Sequence, residues 1–335
     1  MNKKLSGIFT PNMVPLDEQG EINEPELRRL IEWLIEKRVS GLYPNGSTGE
    51  FLRFSFEERK RIVRIVAEQT AGRVPILAGA AEANVRTTLE ACEYYKSLGV
   101  AAVAIVAPFY YKISSEAVYA YFAEIARHTP INMTLYNIPQ FANDIPNAII
   151  KRLSKFERIV GIKDSSRDFP RFMNLMNTIR PLRPDFTFLT GCEEMLLPML
   201  LMGADGGTIA TSGVVPEVVM KLYDCFRHGD LEQARAIQFK LLELIEVLVF
   251  GADFPEGVRA ALTLRGFKMG VGRQPLSSMQ QMDLNAVRKV LQCLLSDYGF
   301  TDQPASGCPP PAAGVRSTDI ERIVQDVIDK LHGNS

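Results

Sequence analysis

Eight short apolar runs alternate with amphipathic segments along the first 215 residues of this chain, and few architectures accept that order. The runs are GIFTPNMV (7–14), SGLYPN (40–45), VPILAG (74–79), VAAVAIVAP (100–108), INMTLYN (131–137), RIVGIK (158–163), FTFLTG (186–191) and GGTIAT (206–211). They are nearly continuous in apolar residues, which marks strands buried on both faces and therefore parallel. Segments 24–38, 55–70, 84–98, 114–128 and 167–180 between them read as helices, and Ser55 with Glu58 makes a capping-box pattern. Eight such units predict an α/β fold, a (β/α)8 TIM barrel over residues 1–215. An open doubly wound sheet is the runner-up, weakened because no GxGxxG follows the first strand.

Past residue 215 the strand signal stops. Segments 215–228, 230–249, 254–269 and 282–298 read as helices, giving a C-terminal helical appendage over 216–298. Residues 299–317, GFTDQPASGCPPPAAGVRS, are a Pro/Gly/Ala-rich linker. Residues 318–335 read as an amphipathic tail helix in which Ile320, Ile323, Val324, Val327, Ile328 and Leu331 fall on one stripe.

The charge balance narrows the partners. A net charge of −1 in 335 residues gives no electrostatic reason to expect nucleic acid or an anionic membrane. No apolar stretch reaches the roughly 18 residues that span a bilayer. The N-terminus, MNKKLSGIFTP, lacks the apolar core of a secretory leader. Cys92, Cys192, Cys225, Cys293 and Cys308 are odd in number, widely spaced and without a CxxC pair, which fits reduced thiols in a cytoplasmic protein. His128, His228 and His332 are scattered without HExxH, so no metal is expected. Gly203–Gly207, GADGG, lacks the GK[ST] ending of a phosphate loop.

A barrel builds its site at the ends of its strands. Strand two there delivers Gly46-Ser47-Thr48-Gly49-Glu50, strand four Pro108-Phe109-Tyr110-Tyr111, strand five Tyr136-Asn137-Ile138-Pro139 and strand six Lys163. Desolvation inside a barrel disfavours an ammonium, and a free amine is the nucleophile that forms a Schiff base with a ketone. Taken alone, Lys163 also reads as a lysine snorkelling to water, GSTGE as a tight turn, and Tyr110 and Tyr111 as rim packing.

Together, GSTGE (46–50), PFYY (108–111), LYNIP (135–139) and GIKDSS (161–166) resemble the pyruvate-dependent class I aldolases, which include dihydrodipicolinate synthase, N-acetylneuraminate lyase and the 2-keto-3-deoxy sugar acid aldolases. The resemblance covers about residues 5–298. It implies that Lys163 forms an iminium with a 2-oxo acid and that Tyr136 carries protons. It also implies that Ser47, Thr48 and Tyr110 form a hydroxyl relay, with Tyr110 entering from a neighbouring subunit of a dimer or tetramer. Ser47 and Thr48 would hold the substrate carboxylate, and no cofactor would be needed beyond the covalent lysine. Dihydrodipicolinate synthases place an arginine where this chain has Phe141, which argues against aspartate semialdehyde as substrate. Gly191, Glu193 and Glu194 match positions that bind substrate hydroxyls in sialic acid lyases, although both acids would also suit a helix N-terminus. The expected activity is cleavage or formation of a 2-oxo acid from pyruvate and an aldehyde. The alternatives are a dehydratase, a hydratase-aldolase, a true dihydrodipicolinate synthase, or a catalytically silent scaffold. The tail resembles the encapsulation peptides of bacterial microcompartment cargo, so residues 318–332 would meet a shell protein; a helix folded back on its own oligomer, or a disordered remnant, are the other readings.

Overall fold

The computed structural model describes residues 4–82, 84–250, 254–275, 284–300 and 308. All eight expected strands are present: β1 Gly7–Thr10, β2 Gly41–Leu42, β3 Leu77–Gly79, β4 Ala102–Val106, β5 Met133–Asn137, β6 Ile159–Asp164, β7 Thr187–Thr190 and β8 Gly206–Thr208. They pair in parallel in the order β2-β1-β8-β7-β6-β5-β4-β3. A parallel bridge from Leu42 to Ile76 joins the two ends, so the sheet closes on itself as a TIM barrel.

The helices are α1 Glu24–Glu36, α2 Phe56–Thr70, α3 Val85–Ser97, α4 Ser115–His128, α5 Asn147–Leu153, α6 Phe169–Ile179, α7 Leu196–Leu201 and α8 Pro216–His228. Five begin on a side-chain cap: Asn23, Ser55, Asn84, Ser114 and Asp168 each accept from a backbone N–H in the first turn. At α2 the capping box is complete, because the Glu58 carboxylate also takes the Ser55 N–H at 2.7 Å. Helices α5 and α7 span seven and six residues, too few for a helical period to stand out in the sequence. Helix α8 packs against β1 and so serves as the eighth helix of the ring.

Among the described residues three further helices follow: α9 Leu231–Ile245, α10 Glu256–Leu264 and α11 Leu284–Asp297. The sequence predicts one helix over 230–249; instead α9 ends at Ile245 and a π-helical turn, Glu246–Phe250, follows. Cys293 of α11 is disulfide-bonded to Cys308, with Cα atoms 5.5 Å apart. This corrects the expectation of five reduced thiols: partners 15 residues apart leave no local pattern, and only the fold brings them together. Cys92, Cys192 and Cys225 are free and buried. Apart from Gly299, Phe300 and Cys308, the linker and the tail helix lie outside the described residues.

Candidate active site

The site begins with the register of two strands. Tyr136 of β5 lies opposite Lys163 of β6, which lies opposite Leu189 of β7. Residues paired in register share a face, so these three side chains point to the same side. One position on, Asn137 Nδ2 donates to Asp164 Oδ2 at 2.8 Å, and Asn137 Oδ1 accepts from the Ile145 N–H at 3.0 Å. Asp164 Oδ1 also accepts the Ser166 N–H at 3.0 Å and its hydroxyl at 2.6 Å. The polar residues that end the sixth apolar run therefore lock the register that sets phenol beside amine.

Lys163 is 5% exposed, and its Nζ lies 4.1 Å from the Tyr136 ring centroid and 4.7 Å from that of Tyr43. Two aromatic faces favour a cation at that point, each by about 0.5–2 kcal/mol. Burial, and secondarily the neighbouring Tyr136, push the Tyr43 phenol well above its usual range, so this ring stays neutral. The close fit needs Gly191: a Cβ there would fall on Ser165 Oγ and lie 2.7 Å from Lys163 Cε. Tyr136 Oη is 3.3 Å from Ser47 Oγ. A single cavity of ≈ 270 Å³ is lined by Lys163, Tyr136, Ser47 and Thr48, together with Gly191, Glu193 and Phe141.

Two expected residues stand apart from that lining. Tyr110 is 89% exposed on the rim, with a left-handed backbone (φ 74°) and its ring edge-on to Tyr111 at 4.9 Å. Glu194 pairs with Arg167 at 2.6 Å. Glu193 is buried, and one of its oxygens accepts the Thr211 N–H at 2.9 Å. Burial outweighs that bond and pushes its carboxyl up to about 7. Phe141 stacks on Phe254 with centroids 6.3 Å apart, making one side of the mouth apolar.

Sequence reasoning missed Tyr43 and Arg167. Tyr43 lies inside the second strand run, where an aromatic reads as core. Arg167 directly follows GIKDSS, has a left-handed backbone (φ 62°), and lines the same cavity with its guanidinium 5.0 Å from the Phe250 ring. A cation thus stands in the mouth although residue 141 is not one. Among the described residues no group of His, Cys, Asp and Glu is placed to hold a metal ion, and no helix is long and apolar enough to cross a membrane.

The profile of the dihydrodipicolinate synthetase family matches residues 4–294. The chain belongs to the dihydrodipicolinate synthetase family. It is 31% identical over 268 residues to a DapA-like lyase of Thermofilum pendens, covering 79% of this chain and 89% of that one. Identity is also 31%, over 297 residues, to the 4-hydroxy-tetrahydrodipicolinate synthase of Methanopyrus kandleri, with 88% and 98% covered. Among solved structures, YagE of E. coli K12 in complex with pyruvate superposes with a TM-score of 0.80 at 29% identity, covering 87% of this chain and 98% of that one. CdNal of Clostridium difficile in complex with mannosamine gives 0.78 at 26%, with 88% and 100% covered. As a dihydrodipicolinate synthetase family member, the chain is a lyase of the Schiff-base-forming, pyruvate-dependent kind. Its tail lies beyond the family match.

Proposed function

We propose that the chain interconverts a 2-oxo acid with pyruvate and an aldehyde, the 2-oxo acid being a 2-keto-3-deoxy sugar acid or a relative of one, and that Lys163 is the nucleophile. The observation that carries this reading is the buried Lys163 amine held between the rings of Tyr43 and Tyr136, with Ser47 on the phenol. The amine attacks the keto carbon, and Tyr136 gives its phenolic proton to the departing hydroxyl, so that water leaves, a phenolate forms and the charge of the resulting iminium faces both rings. Tyr136 takes the proton from the substrate hydroxyl while the electron pair of the breaking carbon–carbon bond flows to the iminium nitrogen. The aldehyde departs and an enamine remains. Tyr136 returns the proton to the enamine carbon, and water hydrolyses the iminium to pyruvate and free amine. Ser47 and Thr48 hold the carboxylate, and Ser47 passes protons to Tyr136. Tyr110 joins that relay from a second copy, which fits its exposure on the rim.

Borohydride added with pyruvate tests the nucleophile. A pyruvyl adduct by intact mass, absent from Lys163→Ala, is expected; no adduct across a panel of 2-oxo acids would remove the reading. Products separate the relatives: aldehyde plus pyruvate for an aldolase, loss of water alone for a dehydratase, condensation with aspartate semialdehyde for a dihydrodipicolinate synthase. Phe141 weighs against the last, since an aromatic ring cannot pair with a carboxylate and the cation that does line the mouth, Arg167, is already paired with Glu194. Residues 318–332 are proposed to dock on a microcompartment shell protein, placing the enzyme inside a shell that retains the aldehyde. Deleting residues 300–335 should preserve turnover and abolish co-localisation with shell proteins, and unchanged localisation would remove this part.

A further inference from the structure

The turn that carries Ser47 and Thr48 ends on Glu50, a non-glycine residue with a left-handed backbone (φ 56°) and a carboxylate only 2% exposed. That carboxylate is gripped from outside the barrel. Arg259, on α10 of the helical appendage, donates to Glu50 Oε2. Arg53 spans from Glu50 at 2.5 Å to Glu256 at 2.7 Å, and Arg259 Nε lies 3.4 Å from Glu256. Arg259 Nη1 also donates to the carbonyls of Val14, at 3.3 Å, and Met269, at 2.6 Å. Its own side chain is 5% exposed.

Buried ion clusters rarely add net stability, because desolvating the charges offsets their attraction. What such a cluster does supply is fixed geometry, and here the geometry leads to the site. The Glu50 N–H donates to the Ser47 carbonyl at 3.1 Å, and Ser47 Oγ lies 3.3 Å from Tyr136 Oη. Three links therefore run from α10 to the phenol beside Lys163: guanidinium to carboxylate, Glu50 amide to Ser47 carbonyl, and Ser47 hydroxyl to Tyr136. No other contact is needed for the appendage to influence the chemistry.

We propose that Arg259 and Glu50 are positioning residues for Ser47, through which the helical appendage sets the hydroxyl relay. This rests on the Schiff-base reading above. Neither side chain lines the cavity that holds Lys163; both hold the turn in a left-handed conformation that a non-glycine residue adopts at a cost.

The test is the rate of pyruvate trapping by borohydride, measured with thermal unfolding, in Arg259→Lys, Ser47→Ala and the double variant. Lysine keeps the charge and loses the fork that bonds carboxylate and carbonyls together. Arg259→Lys is expected to slow trapping about 10- to 100-fold, as displaced catalytic groups do, while the protein stays folded. The double variant should be no slower than the slower single one, because both changes disable the same hydroxyl. A purely structural arginine would lower the unfolding midpoint and give losses that multiply; that result, or trapping at the wild-type rate, overturns the proposal. If Arg259→Lys does not fold, Glu50→Gln, nearly isosteric, carries the same cycle. Wild-type protein that traps no 2-oxo acid would overturn the Schiff-base reading itself, whereas a trapped wild type with an unaffected Arg259→Lys overturns only this one.

Discussion

At Gly191 one methyl group decides whether the amine has room. Alanine there would press on Ser165 and on the Lys163 chain, which the rings of Tyr43 and Tyr136 already confine. Gly191→Ala is expected to cut pyruvate trapping at least tenfold, with a stability cost of about 1–3 kcal/mol by urea denaturation. Glu193 makes a second, pH-dependent case. Burial lifts its carboxyl from an ordinary 4.5 to about 7, so the folded chain keeps a proton that the unfolded chain releases. Its contribution is whole below about 4.5 and is lost as pH rises through about 7. Glu193→Gln should flatten that slope, seen as a smaller difference in urea midpoint between pH 5 and pH 8. That Lys163, Tyr136 and Ser47 meet at one cavity was legible in the sequence because each stands where an apolar run gives way to polar residues. Tyr43 and Arg167 were not: a tyrosine within a strand run looks like core, and the direction of an arginine past a strand end depends on backbone angles that no pattern displays.

The strands were legible because parallel burial on both faces leaves continuous apolar runs, and the longer helices because their caps are explicit at Asn23, Ser55, Asn84, Ser114 and Asp168. The π-helical turn at 246–250 was not, since Leu248 and Val249 continue an apolar stripe whichever way the backbone winds. It matters because Val249 and Phe250 reach the Lys163 cavity from it. Register was equally hidden, being written in a cross-strand pair. Asn137→Ala would strip Asp164 of a buried partner and leave the Ile145 N–H without its acceptor. A loss of about 1–3 kcal/mol is expected in urea, together with slower trapping, because the same pair aligns Tyr136 with Lys163.

Over the whole molecule, closure of the barrel follows from counting eight units, whereas the Cys293–Cys308 bond follows from nothing local in the chain. The bond closes a 15-residue segment remote in sequence from every site residue. Cys308→Ser should leave trapping at the wild-type rate and lower stability by no more than about 3 kcal/mol in urea without reductant. The exposed Tyr110 has a consequence of a different kind. On the proposed relay, in which Tyr110 serves a second copy, each polypeptide is the co-reagent of another. Initial rate per milligram would then climb with the amount of protein in the cuvette and level off only when assembly saturates. Progress curves started by deep dilution would decay as partners separate, and any turnover number for this lyase would belong to the concentration at which it was measured.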